Sequence, residues 1–330
     1  MEAPLKVLVT GGAGFIGTNL VRSLLLKGDS VRVLDNFSSG KRENIEDLKG
    51  DLEFLGADIR DLPTCLQACV GMDAVLHQAA LGSVPRSIQD PSLTHQVNVN
   101  GTLNMLLAAR DQEVKRFVFA SSSSVYGNTE EKVKVESLPL RPLSPYAVSK
   151  LAGEAYTLVF SKVYGLETVA LRYFNVFGPR QDPESMYAAV VPRFLASLLK
   201  GEPPRIFGDG HQTRDFTYVE NVVRANLLAL ECPSEACGRA YNIACGQSTS
   251  VNDLFRLMRE RVGGDAVRIK PTHEPPQAGD VHDSLASIEA ARKILGYVPT
   301  LGVEEGIGLT IDWYRSRRSQ SAPPASKSTS

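Results

Sequence analysis

Cysteine is scarce in this chain of 330 residues and odd in number, five in all. Neither Cys65/Cys69 nor Cys232/Cys237 has the C-x-x-C spacing or the nearby histidines of a zinc site, so the cysteines read as small buried apolar residues, not metal ligands or a disulfide framework. An excess of charge of one sign is lacking too: 36 Lys and Arg stand against 37 Asp and Glu. That balance leaves no basic field for nucleic acid and no polybasic stretch for an anionic membrane. No apolar run approaches the roughly 18 residues of a spanning helix, and the N-terminus enters a strand pattern without the charged-then-apolar order of a signal peptide. The expectation is a cytoplasmic globular protein whose partner is a small molecule, with no bound metal. From Ser316 to Ser330 almost nothing is apolar and Ser, Pro and Lys dominate, so this tail is expected to be disordered.

Apolar residues make up 43% of the chain, enough to fill a large core. Strand-like runs at Leu5–Thr10, Val31–Asp35, Leu52–Ala57, Ala74–His77, Arg116–Ser121 and Thr168–Tyr173 alternate with helical patterns near Phe15–Lys27, His95–Gln112 and Tyr146–Tyr164. This alternation implies right-handed crossovers and an α/β, doubly wound parallel sheet covered on both faces. After Asn175, Gly178-Pro179, Pro183, Pro192 and Pro203-Pro204 break the rhythm, which predicts a smaller mixed α/β domain over the carboxyl ends of the strands. The expected division is 1–174 with about 215–244 for the first domain and 175–214 with about 245–315 for the second.

Thr10-Gly11-Gly12-Ala13-Gly14-Phe15-Ile16-Gly17 follows the first strand and opens the first helix, the context of a phosphate-binding turn. Gly11, Gly14 and Gly17 permit the turn and let backbone N–H groups approach a pyrophosphate at the positive helix end. Asp35 ends the second strand about 20 residues on, where a carboxylate accepts both ribose hydroxyls of NAD and repels a 2′-phosphate. Donors of the Asn36-Phe37-Ser38-Ser39-Gly40 loop surround the same ribose, and Lys41 beyond them leaves an opening for NADP. Asp58-Ile59 could hold the adenine or merely cap its loop. Gln78-Ala79-Ala80, small after the fourth strand, would let the cofactor lie close to the backbone.

Tyr146 stands four residues before Lys150, one turn along a helix face. A phenol with a pKa of about 10 becomes a base at neutral pH only where cations stabilise its phenolate; Lys150 supplies one and oxidised nicotinamide another. The strand Phe117–Ala120 delivers Ser121–Ser124 to the same sheet edge. Ser122 is the expected hydroxyl on the reacting oxygen, assisted by Ser123. A tyrosine, a lysine and serines beside a dinucleotide point to hydride transfer on an alcohol or ketone.

Taken together, Thr10–Gly17, Asp35-Asn36, Asp58-Ile59, Ser122–Gly127, Tyr146–Lys150, Arg172-Tyr173-Phe174-Asn175, Arg214-Asp215-Phe216 and Gly279-Asp280 resemble the extended short-chain dehydrogenase/reductases of the nucleotide-sugar epimerase/dehydratase family, over about residues 5 to 315. The resemblance implies a Rossmann domain, bound NAD, and Phe15, Ile16, Asn98 and Tyr173 within the cofactor set. Members that dehydrate hexoses carry an Asp-Glu pair where this chain has Ser123 and Ser124, and decarboxylating members usually have Glu at the second place. With hydroxyls only, the implied reaction is 4-epimerisation of a UDP-hexose through a 4-keto sugar.

The same resemblance implies that Asn175 and Arg214 contact the diphosphate, although each could instead be a surface or capping residue. It implies that Phe207 packs the uracil, unless it is an apolar plug, and that Asp280 accepts a ribose hydroxyl. Gln277 departs from the pattern, which commonly has Arg there. Ser284 stands where epimerases restricted to UDP-glucose and UDP-galactose tend to carry Tyr. The resulting room suggests UDP-N-acetylglucosamine and UDP-N-acetylgalactosamine, with Gly82, Ser83, Ala189 and Val190 lining the pocket. An epimerase for UDP-glucose or UDP-glucuronate is the alternative, and a non-catalytic NAD-binding sensor is the reading from another class. The resemblance also implies a homodimer through a four-helix seam made by Thr94–Gln112 and Tyr146–Tyr164.

Overall fold

The computed structural model describes residues 3–183, 189–275 and 283–321. Apolar β-rich runs form seven parallel strands: β1 (Lys6–Thr10), β2 (Ser30–Leu34), β3 (Leu52–Leu55), β4 (Ala74–His77), β5 (Arg116–Ser122), β6 (Glu167–Tyr173) and β7 (Arg239–Ile243). Their order is β7-β6-β5-β4-β1-β2-β3, all neighbours being parallel. The chain therefore reverses its winding between β1 and β4, and the crevice at that switch point is where such a sheet takes a ligand. Strands buried on both faces explain the nearly unbroken apolar runs at Val7–Val9, Val75-Leu76 and Phe117–Ala120. One apolar cluster covers each face. Leu20, Val21, Leu24, Val118, Leu171 and Val222 belong to one, and Leu8, Val75, Met105, Phe117, Phe119 and Phe160 to the other.

The first helix, α1, spans Phe15–Lys27 and stops where Gly28 takes a left-handed φ of 94°. A short helix, α2 (Leu62–Cys69), starts on an Asp61 cap and has no counterpart among the sequence-based elements, because its eight residues give too little periodicity. The helix expected over His95–Gln112 differs in detail. It begins earlier, at Pro91, passes through a π-turn at Gln96–Asn100 and continues as α3 (Gly101–Asp111). The long helix α4 (Pro145–Tyr164) starts after Ser144, whose hydroxyl accepts from the Ala147 amide at 3.1 Å, and ends at Gly165 with φ 73°.

A second sheet joins four short strands, Thr249–Ser250, Thr213–Arg214, Asp283–Ala286 and Val133–Lys134, in that order. Val133–Lys134 thus leaves the segment assigned to the first domain and pairs with the second sheet. A third apolar cluster, including Phe177, Phe194, Phe216, Leu254, Phe255 and Ile307, underlies this half of the chain. The last helix runs over Val303–Ser321, so the tail expected to be disordered from Ser316 is helical through its first six residues. The cysteines form no disulfide; Cys237 is part-exposed rather than buried, and Cys232 accepts from the Arg116 Nη1 at 2.9 Å. No helix among the described residues is long and apolar enough to cross a membrane.

Candidate active site

A cavity of 710 Å³ opens at the carboxyl edge of the main sheet, between the glycine turn and the second sheet. At one end lie Gly11, Gly14, Phe15, Ile16 and Gly17, followed by Asp35, Asn36, Ser38, Ser39, Asp58 and Ile59, with Gln78, Ala79 and Ala80 across the switch point. Gly11 has φ 67°, and a Cβ there would sit 2.8 Å from the Ala79 backbone; one on Gly17 would sit 2.1 Å from the Gly11 carbonyl oxygen. Only glycine lets β1, β4 and α1 converge this closely. Gly14 caps α1 without any side chain, and the first turn holds no acidic residue. The leading amides are therefore available to an anion.

Asp35 is buried and accepts from the Ala13 amide at 3.0 Å and the Phe37 amide at 2.7 Å. Burial raises its pKa, and these two amides oppose the rise. Each of its oxygens keeps a further lone pair for a ribose hydroxyl. Asn36 donates to Asp58 at 2.8 Å, which joins the ribose and adenine ends of the same wall. Lys41 pairs with Asp182 at 3.2 Å, so the cation that could have welcomed a 2′-phosphate is engaged across the cavity entrance. An open helix N-terminus, a converging backbone and an inward carboxylate fit a dinucleotide.

Farther along, Ser122, Ser123, Ser124, Tyr146, Lys150 and Tyr173 line the wall together. The buried Lys150 ammonium donates to the Ala120 carbonyl at 2.8 Å and makes no ion pair among the described residues; burial depresses its pKa to about 8. Burial also raises the Tyr146 phenol, against a hydrogen bond with Ser122. The Ser124 hydroxyl donates to the Ser122 Oγ at 2.9 Å, which orients the serine cluster. Behind them, Arg172 places Nη2 2.6 Å and Nε 3.0 Å from the Glu154 carboxylate, which also accepts from Ser121 at 2.6 Å. Asn98, held in the π-turn, does not line the cavity. It accepts from the Leu81 amide at 2.8 Å and donates to Ser149 at 2.9 Å, bracing the loop after β4 against α4.

The far end holds Gly82, Asn175, Ala189, Arg214 and the buried Ser284. Several residues singled out by sequence do not line the cavity. Phe37 stacks on Phe54 with ring centroids 5.1 Å apart, and Gly40 packs against Ala13. Ser83 caps the helix Val84–Gln89, Val190 opens the helix Val190–Lys200, and Phe207 lies under the Arg193 guanidinium at 5.1 Å. Gln277 and Asp280 fall outside the described residues. Conversely, Lys134, Gln181 and Asp182 line the cavity and went unnoticed in sequence as site residues. The last two lie in Arg180-Gln181-Asp182-Pro183, within the Pro-broken stretch after Asn175, whereas Lys134 carries no local signal.

Fold and site together define a nicotinamide-dinucleotide enzyme with a tyrosine–lysine–serine centre. Residues 7–244 match the model of the NAD dependent epimerase/dehydratase family, and the chain belongs to that family, whose cofactor is NAD. It is similar to a putative UDP-glucose 4-epimerase of Methanocaldococcus jannaschii, with 39% identity over 316 residues, covering 94% of this chain and 98% of the relative. Among solved structures, the UDP-glucose 4-epimerase of Thermotoga maritima with UDP-glucose superposes with a TM-score of 0.89 at 39% identity, covering 95% of this chain and 100% of the other. The UDP-N-acetylglucosamine 4-epimerase of Methanobrevibacter ruminantium, in complex with UDP-N-acetylmuramic acid, gives 0.90 at 38% identity, with 96% and 100% covered.

Proposed function

We propose that the protein is a UDP-hexose 4-epimerase that interconverts UDP-N-acetylglucosamine and UDP-N-acetylgalactosamine, with UDP-glucose and UDP-galactose as further substrates. The observation that carries this reading is the chemistry around Tyr146, where Ser122 hydrogen-bonds the phenol and Ser123 and Ser124 line the same cavity. Among the described residues, the carboxylates lining the cavity are Asp35 and Asp58 at the dinucleotide end and Asp182, which is paired with Lys41. Elimination or decarboxylation needs a second acid or base beside the sugar, and the two positions after Ser122 that would supply it carry the hydroxyls of Ser123 and Ser124. Tyr146 takes the proton from the sugar O4 hydroxyl, relayed through Ser122, and later returns it. Lys150 holds the phenolate by charge, and with no carboxylate paired to it among the described residues the ammonium is available for that role. NAD, when held by the glycine turn, Asp35 and Gln78–Ala80, would supply the two-electron acceptor and donor for the hydride at C4, which leaves one face of the sugar and is regained on the other.

Arg214 and Asn175 are assigned to the diphosphate, and the small Ser284 leaves room for a 2-acetamido group. Helix α4 exposes Val148, Tyr156, Val159 and Val163 along one side, and Ile88 and Leu93 are also exposed. This apolar stripe supports the assignment of a homodimer seam to these helices. A coupled assay comparing UDP-glucose, UDP-N-acetylglucosamine and UDP-glucuronate tests the substrate. Turnover confined to UDP-glucuronate would overturn the choice, and a protein that turns over none of them, with no reduced-nicotinamide absorbance on adding sugar nucleotide, would overturn the epimerase itself.

A further inference from the structure

Lys134 is 3% exposed and is one of the residues that line the cavity. The strand register explains how it arrives there. In the second sheet Arg214 pairs with Ser284 and Lys134 pairs with Ala286. Ser284 and Ala286 are two apart on one strand, so they share a face, and paired neighbours in a sheet point the same way. Arg214, Ser284 and Lys134 therefore present their side chains on a single face, with the two cations diagonal to each other across Ser284. Arg214 is the one assigned to the diphosphate. Lys134 lies on the other flank, on the segment that follows Ser123, Ser124 and Gly127, all of which line the same wall.

The ammonium donates to the Glu131 carbonyl at 2.7 Å and makes no ion pair within 4 Å among the described residues. Its pKa is lowered by burial, which Asp283 and Glu131 partly offset. A buried ammonium with one bond satisfied has two N–H groups left for a ligand. We propose that Lys134 is a specificity-determining residue that donates to a carbonyl-type oxygen carried by the hexose, in the space left open beside Ser284. The two sources of that oxygen are an acetamido carbonyl and a uronic carboxylate. A plain hexose offers only hydroxyls there, which are weaker acceptors for a cation.

The inference rests on the UDP-sugar reading, and its test is built on ratios and on binding as well as turnover. In Lys134→Met, kcat/KM for UDP-N-acetylglucosamine relative to UDP-glucose is expected to fall about ten-fold, the size of losing a charged donor to a carbonyl. The Lys134→Arg variant, which keeps the charge and donors, restores part of that ratio. If the ratio that falls is instead UDP-glucuronate over UDP-glucose, the carboxylate is the recognised source. An equal fall for all three sugars overturns the proposal and leaves Lys134 a strut. Calorimetric binding of the same three sugar nucleotides to both variants separates the claims. A wild-type protein that turns none over, beside a Lys134→Met variant whose relative affinity for the acetylated or uronic sugar nucleotide falls, sinks the epimerase and not Lys134; unchanged binding ratios in Lys134→Met sink Lys134 alone.

Discussion

Glu154 offers the sharpest test of how the site is held. Its carboxylate and the Arg172 guanidinium are 2% and 5% exposed, and Arg172 also donates from Nη1 to the Tyr126 hydroxyl at 2.8 Å. Replacing Glu154 by Leu leaves two guanidinium donors and the Ser121 hydroxyl without partners in a dry interior. Removing one partner of such a pair costs about 3–5 kcal/mol, because the other charge stays buried. Arg172→Met should cost a similar amount, since Glu154 then keeps only Ser121. The double variant Glu154→Leu/Arg172→Met removes both charges and leaves two hydroxyls each short of one bond, a cost of about 2 kcal/mol in all. The double variant should therefore be more stable than either single one, with a coupling energy of several kcal/mol. Guanidinium titrations followed by far-ultraviolet circular dichroism and by Trp313 fluorescence supply the free energies. Additive losses, or single variants within 1 kcal/mol of wild type, would refute the reasoning.

Three further outcomes are expected. Tyr146→Phe keeps the ring and removes the proton acceptor, so kcat should drop by about 10²–10⁴ while sugar-nucleotide affinity by calorimetry stays within a few-fold. Lys150 is cationic below about 8 and neutral above, so kcat should fall as pH rises through that value; in Lys150→Arg, whose guanidinium stays charged, the fall should move to higher pH. A fall at the same pH in both proteins would assign the titration to another group. Ser284→Tyr should lower kcat/KM for UDP-N-acetylglucosamine at least ten-fold more than for UDP-glucose, and wild-type turnover of the acetylated sugar would sink the gate.

The doubly wound sheet was legible because its strands are buried on both faces and come in chain order with long helices between them. Gly11–Gly17, Asp35 and the Tyr146–Lys150 pair were legible because each belongs to a local pattern of fixed spacing. Lys134 was not, since its place depends on pairing with Ala286, more than 150 residues later. Nor was the buried Arg172–Glu154 pair seen as a brace, although both residues sat inside flagged segments. Phe207 and Phe37 lie off the cavity wall, each with one ring face packed by a neighbour, Arg193 for one and Phe54 for the other, contacts that no local spacing encodes.

The Lys41–Asp182 contact has a consequence for residence time. It ties the loop after Asp35 to the segment after Arg180, so the coenzyme end and the sugar end of the cavity share one fastening. Both side chains are part-exposed, at 43% and 32%, so the fastening is worth less than about 1 kcal/mol and weakens in salt. A catch that light slows the departure of a coenzyme without sealing it in. Raising ionic strength would therefore speed coenzyme exchange by no more than about five-fold, and the rest of its retention would fall to the buried Asp35 and the glycine turn.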